Sequence, residues 1–191
     1  ILQSKFGFSE FKPGQLDIIH RLCLKENVLA VLPTGTGKSL VYQLLGYLLR
    51  QPILVISPLI SLIDDQVARL NRLGEKHVIG LTSKLDHNQR QFALNHLQDY
   101  RFIYLSPEMA NQPEVLNALR RLTFGLFVID EAHCLSQWGP DFRPDYLKLK
   151  DLRKQLGTPT TLMLTATATE AVRQDIIQKM ALASDQVEQV V

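Results

Sequence analysis

Short apolar runs rich in β-branched residues recur along the chain at Val28–Leu32, Ile53–Ser57, Val78–Leu81, Phe102–Leu105, Leu126–Asp130 and Thr160–Leu164. None alternates with polar residues, and each has the length of a strand buried on both faces, which predicts a parallel sheet. Between these runs the apolar period lengthens to that of a helix. Gln15–Leu24 places Leu16, Ile19, His20 and Cys23 on one face, Leu40–Arg50 is almost wholly apolar, and Leu59–Leu73 repeats Leu62, Ile63, Val67, Leu70 and Leu73. Asp145–Leu156 and Glu170–Met180 read the same way, with Asp145 and Thr169 as expected N-caps. Strands alternating with helices predict an α/β fold: a doubly wound, mainly parallel sheet with helices on both faces, joined by right-handed crossovers. Ser136–Pro144 resists both periods and is expected to be a loop, one carrying Trp138, Phe142 and Arg143.

Composition narrows the class without naming a function. The chain has 191 residues, 46% of them hydrophobic and 21% charged, which suits one globular domain spanning residues 1–191 and excludes a disordered or fibrous chain. No apolar run approaches the roughly 20 residues of a membrane-spanning helix, so no membrane partner is expected. Twenty-one Lys and Arg against 19 Asp and Glu give a formal charge of +2, which neither demands nor excludes a polyanion. Cys23 and Cys134, even with His20 and His133 nearby in sequence, close neither a disulfide framework nor a structural zinc site. A reducing intracellular setting is the expectation. The chain opens on Ile1 rather than Met, which reads as a piece of something longer.

The chemistry concentrates after the first predicted strand. Pro33-Thr34-Gly35-Thr36-Gly37-Lys38-Ser39 leads directly into an apolar helix. Glycines let successive backbone N–H groups face a phosphate, and the helix N-terminus adds partial positive charge. Lys38 would reach the β- and γ-phosphates and Ser39 would ligate Mg²⁺. The strict pattern has glycine where this chain has Leu32, but the amides of the cradle come from Gly35 onward. A second element emerges from a later strand as Asp130-Glu131-Ala132-His133. Asp130 would hold Mg²⁺ and Glu131 would accept a proton from the attacking water. Together the two elements imply a nucleoside triphosphate hydrolase.

Asp130–His133 resembles motif II of the superfamily 2 helicases, and the rest of the chain is similar to the RecQ family of DNA helicases in particular. Phe6–Phe8 with Phe11–Gln15 resembles motif 0 and Leu164–Thr169 motif III; Pro33–Gln43, Ser57–Val67, which opens on motif Ia at Ser57–Ser61, and Tyr104–Glu108 resemble stretches of the same family. The most specific stretch is Asp130–Tyr146, DEAHCLSQWGPDFRPDY, which resembles motif II running into an aromatic-rich loop.

The resemblance implies the first RecA-like domain of a 3′ to 5′ DNA helicase acting in repair and recombination. ATP and Mg²⁺ are its cofactors and single-stranded or forked DNA its partner. Lys38, Asp130, Glu131 and His133 would be catalytic. Phe8, Lys12, Gln15, Thr34, Gly35, Thr36, Gly37, Lys38 and Ser39 would bind the nucleotide, with Phe8 stacking on adenine and Gln15 reading its edge; Ser39 and Asp130 would hold the metal. Ser57, Pro58, Ser61, Ser106, Pro107, Gln137, Trp138, Phe142, Arg143, Thr165 and Thr167 would contact DNA or couple it to hydrolysis. The family has Arg where this chain has Lys12 and often Tyr where it has Phe8. Motifs IV to VI have no counterpart here, so a second RecA-like domain of the parent chain, bearing the arginine finger, is the implied partner. The piece by itself is expected to be a monomer without unwinding activity, from a protein of the bacterial cytoplasm and nucleoid or of the nucleus.

Overall fold

The computed structural model describes residues Ile1–Val191. Every apolar run becomes a strand: β1 (Asn27–Val31), β2 (Ile53–Ile56), β3 (Val78–Leu81), β4 (Phe102–Leu105), β5 (Leu126–Ile129) and β6 (Thr161–Thr165). A seventh, β7 (Val187–Val190), adds an edge. The order across the single sheet is β3-β4-β2-β5-β6-β1-β7, and every pairing is parallel. Nine α-helices accompany them: α1 (Leu2–Phe6), α2 (Gln15–Cys23), α3 (Lys38–Leu48), α4 (Ile60–Arg72), α5 (His87–Asn95), α6 (Pro107–Ala110), α7 (Pro113–Leu119), α8 (Leu149–Gln155) and α9 (Glu170–Lys179).

Successive strand side chains point to opposite faces, so one strand feeds two cores. Val28, Val55, Tyr104, Val128 and Leu162 pack beneath α2, α3 and α4 with Ile18, Val41, Leu45 and Ile63. Leu29, Leu54, Ile103, Phe127 and Met163 pack on the other face with Val115, Leu119, Leu152 and Ile176. Complete burial of a Val, Leu or Ile side chain is worth about 1.5–3 kcal/mol. The four central strands β2, β4, β5 and β6 are buried throughout, so the carboxyl ends of the strands are held rigidly.

Three expectations are corrected. The buried face of α2 is Gln15, Ile18, Ile19 and Leu22, while Leu16, His20 and Cys23 are exposed. A polar residue enters the interior because Gln15 has partners there, and the helix turns to follow it. Asp145 caps no α-helix: Pro144 starts a 3-10 turn over Pro144–Lys148, and α8 begins only at Leu149. The Asp145 carboxylate instead pairs with Lys148 Nζ at 2.9 Å. The strand β7 was not expected, because Val-Glu-Gln-Val sets two polar residues between its valines and is neither an apolar run nor a strict alternation. Thr169 does cap α9, accepting from the Val172 N–H.

Candidate nucleotide and DNA site

Apart from Phe6–Gln15, which precedes β1, the singled-out motifs follow the carboxyl ends of strands, where doubly wound sheets bind ligands. After β1 the chain turns through the glycine loop, and Gly37 (φ 79°) serves as N-cap of α3. This left-handed conformation suits glycine, and a Cβ there would meet Gln15 Nε2 at 2.9 Å. Thr36 Oγ1 closes the turn by donating to the Pro33 carbonyl at 2.6 Å.

The segment before α2 grips this loop. Gln15, 1% exposed, donates its amide to the carbonyls of Thr36 at 2.8 Å and Gly37 at 3.2 Å. Its Oε1 accepts from the Lys12 N–H at 2.9 Å, and Lys12 Nζ donates to the Gly35 carbonyl, also at 2.9 Å. Phe8 stands 42% exposed on the same cleft. The cleft, about 620 Å³, is lined by Phe8, Lys12, Gln15, Thr34–Ser39, Asp130 and Glu131. Every residue singled out for nucleotide is therefore in one place.

Asp130 follows β5, and the Tyr146 hydroxyl donates to its backbone carbonyl at 3.0 Å. Glu131 has φ 51°, left-handed for a residue that carries a Cβ, a strained conformation of the kind that collects at functional sites. That turn lets the Glu131 N–H donate to Asp130 Oδ1 at 3.0 Å. Burial first, then the neighbouring Glu131 charge, push the Asp130 carboxyl up to about 6, while the Glu131 amide and Lys38 oppose the shift. A desolvated carboxylate facing Lys38, with the Ser39 hydroxyl in the same cleft, is a hard-oxygen donor set that fits Mg²⁺.

His133 Nδ1 lies 3.0 Å from Thr165 Oγ1 and 3.3 Å from Glu131 Oε2. Thr165 Oγ1 itself donates to the Thr167 carbonyl at 3.1 Å, which leaves it to accept from the imidazole N–H. Motifs II and III are thus joined through His133. Thr165 is fully buried, so it touches His133 rather than DNA; Thr167 is exposed.

The loop after the 3-10 turn Ala132–Leu135 is tied at several points. Ser136 Oγ donates to Asp175 at 2.7 Å, and a Cβ on Gly139 would meet the His133 carbonyl at 2.6 Å. The Arg143 N–H donates to the Cys134 carbonyl at 2.9 Å. Its guanidinium binds Asp141 at 3.1 Å and the Pro58 carbonyl at 3.2 Å. Trp138 is 77% exposed, Gln137 is exposed and Phe142 half-buried. Burial pushes the Cys134 thiol up to about 12. Its sulfur, a His133 ring nitrogen and an Asp141 oxygen lie within 4.8 Å of one another, one donor short of a closed tetrahedral site.

The expected DNA contacts divide. Ser61 is exposed at the start of α4, whose N-cap Leu59 provides no side-chain cap, so its first amides are free. Ser57 is 2% exposed and cannot face DNA here, because it continues β2 and donates its N–H to the Leu105 carbonyl. Pro107 is buried, and the Ser106 hydroxyl is engaged by the Met109 N–H at 3.2 Å. Sequence reasoning missed Tyr42, Leu62, Gln66 and Arg69, which line the cleft from α3 and α4. Leu62, Gln66 and Arg69 share one helical face, a spacing that could have singled them out.

Fold and motif order together define an α/β domain of the RecA-like helicase type. The profile of the DEAD/DEAH box helicase family matches residues 12–176, and the chain belongs to that family. Within it the chain is 52% identical over 93% of its length to the probable ATP-dependent DNA helicase RecS of Bacillus subtilis, covering 36% of that protein. It is 35% identical over 97% of its length to the ATP-dependent DNA helicase RecQ of the same organism, covering 32%. The chain therefore spans about a third of these relatives. Among solved structures, the Mycobacterium smegmatis helicase Lhr, bound to single-stranded DNA and AMP-PNP, matches 97% of the chain and 26% of its own, with TM-score 0.71 and 22% identity; that likeness shows the fold alone. No helix is long and apolar enough to cross a membrane.

Proposed function

We propose that this chain is the ATP-binding and hydrolysing half of a RecQ-type 3′ to 5′ DNA helicase of repair and recombination, working on single-stranded and forked DNA. The observation that carries this reading is the convergence of Lys38, Ser39, Asp130 and Glu131 on one cleft. A second RecA-like domain of the parent chain would close it.

Each residue has a defined task. Lys38 and the amides of Gly35–Ser39 hold the phosphates. Ser39 and Asp130 would hold Mg²⁺, which would supply positive charge to the triphosphate when bound. Glu131 accepts a proton from the attacking water at its carboxylate, and His133, braced by Thr165, orients it. Phe8 offers a face to adenine. Gln15 Oε1 keeps one lone pair beyond that used by Lys12 N–H, and it can accept from the adenine 6-amino group where guanine presents an acceptor. Trp138 and Phe142 would stack on unpaired bases. Arg143, joining the Pro58 carbonyl to the Cys134 backbone, would carry strand binding toward motif II.

The test is made in the full-length parent protein. Lys38→Ala should abolish productive ATP binding and turnover, whereas Glu131→Gln should keep nucleotide bound and stop hydrolysis. DNA-stimulated hydrolysis near the parent rate in Lys38→Ala would sink the assignment of the loop.

A further inference from the structure

The cleft does not end at Asp130 and Glu131. It continues into the groove between α3 and α4, walled by Tyr42 on one side and by Leu62, Gln66 and Arg69 on the other. A buried polar cluster adjoins the groove behind Gln66 and Tyr42. Gln43, fully buried, donates to Gln66 Oε1 at 2.9 Å and to the Tyr104 hydroxyl at 3.4 Å, and the Tyr104 and Tyr42 hydroxyls lie 3.5 Å apart. Gln43 Oε1 is buried without any protein partner, which is costly unless a donor reaches it.

Arg69 stands apart from the other arginines. Every other half-buried arginine has a side-chain polar partner: Arg21 with Asp17, Arg90 with Glu114, Arg101 with Glu75, Arg143 with Asp141, Arg153 with Thr161 and Arg173 with Glu170. Arg69 is half-buried in the cleft wall and has none. Gln66 is held through its oxygen by Gln43, so its amide N–H groups are left to donate. The charges of Asp130 and Arg69 both act on the Tyr42 and Tyr104 hydroxyls, in opposite senses. The groove thus runs from the metal-binding carboxylate to an uncompensated cation. An unpaired guanidinium with an amide and a hydroxyl beside it is a donor set for a phosphate anion.

We propose that the groove between α3 and α4 is the exit path of inorganic phosphate, with Arg69, Gln66 and Tyr42 forming a transient subsite for it. This rests on the ATPase reading above, in which the carboxyl face of the sheet is covered by a second domain and phosphate needs another way out. Arg69 offsets the desolvation of the anion on its way, and the Gln66 amide and the Tyr42 hydroxyl donate to its oxygens.

The experiment uses the full-length parent protein with saturating single-stranded DNA. Bond cleavage is followed by acid quench, phosphate release by a fluorescent phosphate sensor, and product inhibition by added inorganic phosphate. Loss of a charge-assisted contact is worth about tenfold in phosphate affinity, so Arg69→Ala should weaken product inhibition by about that factor. It should also slow release relative to cleavage, and Arg69→Lys should restore much of both. Gln66→Leu, which keeps the charge, should shift the same ratio by less. The proposal is overturned if both Arg69→Ala and Gln66→Leu keep the original ratio and inhibition, or if lysine restores nothing. Absence of cleavage in the unsubstituted protein would sink the ATPase reading as well, and so separates the two failures.

Discussion

The side-chain amide of Gln15 donates to the carbonyl of Thr36 at 2.8 Å, so the residue expected to read the base also holds the glycine-rich loop. A buried hydrogen bond of this kind contributes roughly 1 kcal/mol, and the partner left unpaired costs a further 1–3. Gln15→Ala should therefore lower the melting temperature of the nucleotide-free chain, weaken ATP binding and narrow the preference for ATP over GTP. Thermal melts and paired ATP and GTP titrations check this. Weakening of both nucleotides at a constant ratio would leave Gln15 as a loop latch alone.

Asp130 makes stability fall with pH. Its folded carboxyl titrates at about 6 against an ordinary 3.8, so between those values the folded chain binds more protons than the unfolded chain. The stabilisation is complete below pH 4 and is lost as pH rises through 6. Two pKa units correspond to about 3 kcal/mol. In EDTA without nucleotide, Asp130→Asn should melt several degrees above the unsubstituted chain at pH 7.5, with little gain at pH 4. An equal gain at both pH values would mean that the carboxyl is not desolvated.

Arg143 connects the aromatic loop to the Pro58 carbonyl before α4. Arg143→Ala and Trp138→Ala in the parent protein should lower DNA-stimulated ATPase about tenfold or more, the effect of losing one charge-assisted or stacking contact, and reduce the basal rate far less. Trp138 is so exposed that its replacement should leave the melting temperature unchanged. Equal loss of basal and stimulated rates would make the loop a packing element.

Residues 1–191 produced by themselves should fold and bind ATP–Mg²⁺ weakly. They should show neither unwinding nor strong stimulation by single-stranded DNA, because an arginine finger from a second domain can supply about 10³–10⁵ of the rate in such enzymes. Turnover with and without DNA is the measurement. A rate near that of the whole motor would place the catalytic arginine inside this chain.

Much of this was legible in the sequence. Buried parallel strands have nothing polar to alternate with, so β1–β6 stand out as apolar runs, and the glycine-rich loop after the first of them is marked by its own glycines and one lysine. Shorter pieces were not legible. The helix α5 has a capping box at Asp86 and Gln89 but buries only Ala93 and Leu94, too few for a period, and α6 is a single turn.

By itself the sequence determined the parallel α/β class and the order of the motifs, since local periodicity and turn chemistry carry both. Only the tertiary structure decided which polar groups are engaged. It buried Gln15 against the glycine-rich loop, withdrew Ser57, Pro107 and Thr165 from the surface, drew Arg143 inward and left Arg69 unpaired beside the cleft. Those outcomes depend on contacts between residues far apart in the chain, where a buried donor takes whichever acceptor the packing brings within about 3 Å, and no local pattern encodes that choice.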